Sequence, residues 1–176
     1  MSEAEFSRPL KLDVLGDQPV RRAIEADAAE RTALTARFDL VALDRLEAAL
    51  TVARNAGGIE VTGQVDADVQ QSCVVSGVPV VTTVSEAVRL RFVRDVPADA
   101  EEVELAGQDL DTLPLEGESI DLGVIAADTM ALALPLFPRA SDAELAEARK
   151  SLLSEEEEAA RAAAANNPFA ALKKPH

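Results

Sequence analysis

Apolar residues recur along this chain at two different periods, and the change between them separates strands from helices. The clearest run is Ile59, Val61, Gly63, Val65, Ala67 and Val69, every second residue after the turn sequence Asn55-Ala56-Gly57-Gly58. Side chains alternate between the two faces of a strand, so this spacing predicts a strand to about residue 73 with one buried face, and the turn predicts a hairpin. The segment before the turn carries two patterns. Leu40, Leu43, Leu46 and Leu50 suit a helix, whereas Leu46, Ala48, Leu50 and Val52 alternate as in a strand. The tight turn decides the second half in favour of a strand. Gly77 and Pro79 then interrupt the chain before a strand over 80–84 and a further one over 86–94. In the latter, Val88, Leu90 and Phe92 fall on the core side and Arg89 and Arg91 on the wetter side, with Arg94 near the end.

Toward the N-terminus, residues 6–15 read as a short extended segment broken by Pro9. Gly16-Asp17-Gln18-Pro19 supplies turn chemistry, and 20–26 forms another short strand. Asp27 with Glu30 three residues later is a capping box, which predicts a helix over Ala28–Arg37. A second helix opens at Ile120-Asp121-Leu122-Gly123, where Asp121 can cap; Leu122, Ile125, Thr129 and Leu132 share a stripe, and Pro135 and Pro138 end it. Residues 141–165 are rich in Ala and Glu but poor in large apolar side chains, a pattern for a helix that need not pack. The tail from Asn166 reads as disordered, or alternatively as a short linear binding motif anchored by Phe169 and Leu172. These elements predict one α+β domain over 1–140, with a mainly antiparallel sheet and two or three helices, followed by an arm and tail over 141–176. An open sheet and a partly closed barrel both suit these strands.

Charge changes the picture at one place. Of the 32 acidic residues, eleven lie between 95 and 128, a stretch with no Lys or Arg, in a chain of net charge -15. Such a surface repels phosphate backbone and suits a basic partner, although a solvated loop that keeps the protein soluble has the same composition. With five Phe and no Trp or Tyr, platforms for stacking bases are scarce. The lone Cys73 cannot form an intramolecular disulfide, the first residues lack a signal-peptide pattern, and the longest apolar run, near 130–137, contains Pro135. The expectation is a cytoplasmic protein with no membrane association.

Catalytic chemistry finds few footholds. The single histidine, His176, is the last residue of a tail that reads as disordered, a poor base for a Ser-His-Asp or Cys-His arrangement, and one Cys with one His cannot complete a four-ligand zinc site. No Gly-rich loop ends in Lys-Ser or Lys-Thr, and Gly57-Gly58 joins two strands instead of opening a helix. Carboxylates such as Glu101-Glu102 or Asp109 with Asp111 could hold Mg²⁺ in a metal-dependent nuclease, but neighbouring carboxylates on a loop are ordinarily solvated. Cys73 reads as a small core residue more readily than as a reactive thiol. The expectation is no enzyme, no cofactor and no metal.

Several short motifs in order resemble the YceD family, the large ribosomal RNA subunit accumulation proteins. They are Glu5-Phe6-Ser7-Arg8-Pro9-Leu10, the 61–75 stretch leading into Cys73-Val74-Val75, Glu118-Ser119-Ile120-Asp121-Leu122-Gly123, Leu132-Ala133-Leu134-Pro135, and the closing Pro168-Phe169-Ala170-Ala171-Leu172-Lys173-Lys174. The resemblance implies a role in processing or accumulation of large-subunit ribosomal RNA and brings no catalytic residues. Many relatives carry Cys-x-x-Cys where this chain has Cys73-Val74-Val75-Ser76, so a redox or metal role suspected for them does not transfer. Combined with the charge pattern, it points to a basic ribosomal protein or assembly factor held by Asp109, Asp111, Glu116 and Glu118. The alternative is direct contact with precursor ribosomal RNA through Arg89, Arg91, Arg94, Lys173 and Lys174.

Overall fold

A computed structural model of the 176-residue chain describes residues 4–16, 18–94 and 111–146. The elements run β1 (Pro9–Lys11), a 3-10 turn (Leu12–Val14), β2 (Val20–Glu25), α1 (Ala28–Arg37), β3 (Ala42–Asn55), β4 (Gly58–Ser72), β5 (Pro79–Val93), β6 (Asp111–Pro114), β7 (Ser119–Asp121) and α2 (Leu122–Ala133). The fold is α+β. Its main sheet has the order β2-β3-β4-β5-β6, with β2 and β6 at open edges, and β1 pairs with β7 in a separate two-stranded sheet. No barrel closes among the described residues. The β2–β3, β3–β4 and β1–β7 pairs are antiparallel, while β6 runs parallel to β5.

The β3–β4 hairpin holds the fold together, and its sequence explains why. Asn55 pairs with Gly58 across a two-residue turn, and the Asn55 side chain accepts the Gly57 N–H at 2.9 Å. Leu46, Ala48, Leu50 and Val52 of β3 and Ile59, Val61, Val65, Ala67 and Val69 of β4 all turn into one core. Gly63 interrupts the β4 row because a Cβ there would lie 2.1 Å from the Ala49 carbonyl oxygen. The helix-like spacing of Leu43 and Leu46 has a different origin from a helix. A register shift between Leu43 and Arg45 lets two residues three apart both face inward, so β3 is strand from Ala42 onward.

Other boundaries also differ from expectation. Pro9 begins β1 instead of breaking it, as a residue without an N–H can at the first strand position. The 80–84 and 86–94 segments are one continuous β5, since nothing between Val84 and Glu86 breaks the backbone and Ser85 bonds outward to Asp66 and Gln64 of β4. Within the acidic stretch the described residues form two short strands, β6 and β7, ahead of α2, where the sequence indicated a loop as far as the helix opening at Ile120.

Both helices follow their caps. Asp27 accepts from the Ala29 and Glu30 N–H groups while the Glu30 carboxylate accepts the Asp27 N–H, completing the capping box of α1. Leu34 of α1 and Leu122, Ile125, Ala126, Ala127 and Met130 of α2 join the core cluster with Phe6, Leu10 and Leu12. Arg8 fastens the N-terminal segment to α1 by paired bonds to Glu30 at 2.6 and 2.9 Å. The outer sheet face is polar and cross-linked, as in the Arg45–Asp68 pair at 2.8 Å.

These elements belong to a compact unit of 1–71 with 81–136; a second comprises 72–80 with 137–176. In the second, the Val74 N–H donates to the Pro138 carbonyl, and the Gly77 N–H closes a turn onto the Cys73 carbonyl. Ser141 and Glu144 cap each other ahead of helical residues 142–146. The remainder of the arm and tail lies outside the described residues.

Candidate functional site

Two clefts of opposite character open on the larger unit. The first is a groove of about 730 Å³ between β5, β6, β7 and α2. The parallel pairing places Phe92 beside Leu113 and Leu90 beside Asp111, so β5 supplies apolar floor while β6 supplies both apolar and acidic wall. Ile120, Val124, Ile125 and Leu132 form the opposite side. Asp128 and Thr129 are the only polar side chains of α2, which is apolar on nearly every face although only part of it is buried. Leu132 is 88% exposed and Leu113 39%. A helix apolar all round ordinarily has cover all round.

Among the described lining residues of the same groove are the carboxylates Asp111, Glu116, Asp121 and Asp128 and no Lys or Arg. They have different tasks. Asp121 is committed to the fold, accepting from the Arg8 N–H at 2.7 Å, the Gly123 N–H at 2.9 Å and the Val124 N–H at 3.3 Å, and from the Ser7 hydroxyl. Asp128 meets Arg37 at 3.3 Å. Asp111 and Glu116 have no ion pair among the described residues, leaving their charge directed at solvent or at an incoming group.

The second cleft, about 450 Å³, is lined by Lys11, Asp13, Arg54, Arg94, Glu118 and Ser119 with Leu12. Arg54 continues the inward row of β3 one step past Val52, beyond the end of the core, where its guanidinium donates to the Leu12 carbonyl at 2.9 Å. Arg94 follows the inward row of β5 past Phe92 and joins it. Ser119 of β7 borders both clefts.

The residues picked out from sequence are therefore redistributed. Of the acidic four, Asp111 and Glu116 share the groove, Glu118 lies in the cationic cleft, and Asp109 falls outside the described residues. Of the basic set, Arg89 is exposed on the outer face, Arg91 is paired with Glu60 at 3.2 Å, and Arg94 has turned to the opposite side. Lys173 and Lys174 fall outside the described residues. Sequence reasoning missed Lys11 and Arg54 on one side and the groove on the other; the unbroken apolar character of α2 was the available signal for the groove.

Cys73, in the smaller unit, is 3% exposed, and its sulfur accepts the Ala140 N–H at 3.4 Å. That N–H is the chief reason the thiol is lowered to about 6 from its ordinary value near 9.0. Among the described residues no three His, Cys, Asp or Glu side chains come close enough to hold a metal ion, and no helix is long and apolar enough to cross a membrane.

The family model described as large ribosomal RNA subunit accumulation protein YceD matches residues 61–174. The match covers more than half of the chain and takes in nearly all of β4 together with β5, β6, β7 and α2, the last four of which build the groove. It leaves β1, β2, α1 and β3 outside. No curated protein and no solved structure matches the chain.

Proposed function

We propose, from the premise that this chain belongs to the YceD family of large ribosomal RNA subunit accumulation proteins, that it is a non-enzymatic cytoplasmic factor in large-subunit ribosome assembly. It acts by docking a basic ribosomal protein or assembly factor on its acidic face, and so supports processing or accumulation of the large-subunit ribosomal RNA. The carrying observation is the charge distribution: net charge -15, and a groove whose described lining holds four carboxylates and no cation. Ribosomal RNA and the proteins that coat it differ in sign, and an acidic surface favours the proteins by complementarity.

The test is depletion of the protein, with mature and precursor large-subunit RNA measured against small-subunit RNA. A selective large-subunit defect supports the reading, and an unchanged profile overturns it. Affinity capture should recover a basic ribosomal protein or assembly factor, with recovery falling as ionic strength rises.

A second reading, direct RNA contact, has one specific observation in its favour: Lys11, Arg54 and Arg94 converge on a single cleft. Asp13 and Glu118 line that cleft too, which leaves it a formal charge of only +1 from three cations and two carboxylates. Catalysis is absent from both readings, and pure protein with Mg²⁺ should leave RNA intact.

A further inference from the structure

We infer that the groove between β5, β6 and α2 is the partner-docking site itself, and that its occupant is a peptide segment of another protein in which Lys or Arg flanks large apolar side chains. This rests on the docking reading above and adds to it the place and the chemistry of the contact. Acidity alone would attract any cation, but this cleft also presents an apolar lining, Leu90 and Phe92 on β5 with Val124 and Ile125 on α2. A purely basic, polar segment would leave that lining in water. A purely apolar segment would leave Asp111 and Glu116 facing a low-dielectric contact without counter-charges, so that each carboxylate would lose hydration with nothing in exchange.

The shape argues in the same direction. Leu132 is 88% exposed at the end of a helix that is apolar nearly all round, and Leu113 is 39% exposed on the facing edge strand. Two exposed apolar side chains on opposite walls, with free carboxylates beside them, match a segment that inserts alternating or helically spaced anchors. Among the described residues Asp111 and Glu116 make no ion pair, whereas Asp121 and Asp128 already have partners within the fold.

The experiment pans a random peptide library of about twelve residues on the full chain, then measures the enriched peptides by fluorescence anisotropy. Enriched peptides should combine Leu, Phe or Val with Lys or Arg. Leu132→Ser and the double variant Asp111→Asn/Glu116→Gln should each weaken binding by at least about tenfold. Both alter exposed side chains, so thermal melting should remain that of the parent.

Absence of any enriched peptide, or enrichment unaffected by both variants, overturns the inference. So does a dimer of this chain that Leu132→Ser dissociates, since the occupant would then be a second copy. The two readings fail separately. If depletion lowers large-subunit RNA but the groove variants bind peptide like the parent, only the location is wrong. If the groove behaves as stated while the RNA profile is unchanged, the assembly role falls and the docking site stands.

Discussion

The acidic groove and the cationic cleft share Ser119 as a common border, yet they are built by opposite means. The groove is formed where elements that pack into the core run out of cover: α2 keeps its apolar character past the buried row, and β6 adds an edge with nothing beyond it among the described residues. The cleft is formed where core-facing rows run out of core, so that Arg54 and Arg94 take the positions in which another Val would be exposed. Apolar surface left open is costly unless something covers it, whereas a guanidinium at a strand end is content in water. The contrast makes the groove the stronger sign of a partner.

The largest effect should come from disturbing the helix that both defines the groove and closes the core. A Cβ on Gly123 would stand 2.5 Å from the Phe6 carbonyl oxygen and 2.8 Å from its carbon. Both are backbone atoms with little freedom to retreat. Gly123→Ala should therefore cost about 1–3 kcal/mol in urea unfolding, shifting α2 from the N-terminal segment. It should also abolish peptide binding in the groove while leaving the cationic cleft's residues in place. A variant as stable as the parent would show that the α2 contact is looser than described.

Next in size is the difference between carboxylates of one groove. Asp121→Ala removes a cap that also receives the Arg8 N–H, and should destabilise the protein by about 1–2 kcal/mol. Asp111→Asn with Glu116→Gln should change stability by less than about 0.5 kcal/mol, because neither carboxylate has an ion pair within the described fold. Equal losses in the two would erase the distinction between a structural acid and a docking one.

Much of this is legible in the sequence, and the exceptions have physical causes. The hairpin from about Leu46 to Ser72 and the capping box at Asp27 rest on local signals, period-two alternation and a side chain three residues from its partner. The bulge near Leu43 was hidden because it gives two inward residues the spacing of a helix. β6 was hidden because a four-residue edge strand that is exposed throughout has no apolar alternation to display. Arg89, Arg91 and Arg94 do not share one face for a simpler reason: period two places residue 94 on the other side from 89 and 91. Two clefts made from residues far apart in sequence, such as Lys11 with Arg94, have no local signature at all.

A smaller effect tests whether the N-terminal segment of residues 1–60, outside the family match, merely braces the groove. Arg8 joins Glu30 in a two-pronged pair, and its guanidinium holds the Glu30 carboxyl below the usual carboxylate value of 4.5. A carboxyl lowered in the folded state contributes stability that is fully present above its unfolded pKa and fades as pH falls through the folded value. Glu30→Gln also weakens the capping box, for a total of about 1 kcal/mol at neutral pH. The gap between parent and variant should be constant from neutral pH down to roughly 5 and should narrow below it. A gap that widens in acid would contradict the pairing.

The smallest expected change bears on the rival reading. Lys11→Gln with Arg94→Gln removes two cations from the cleft without touching the core, so stability should move by less than about 0.5 kcal/mol. If the protein acts by docking a basic partner, peptide binding in the groove should be unchanged, because among the described residues the two clefts share Ser119 alone. If the protein instead holds RNA directly, the same pair should reduce the salt dependence of polyuridylate binding, lowering the log–log slope by about 0.7 for each lost phosphate contact. Measured on one double variant, the two quantities move independently. A flat peptide affinity together with a shallower RNA slope would assign the groove to protein and the cleft to nucleic acid, placing both partners on either side of β7.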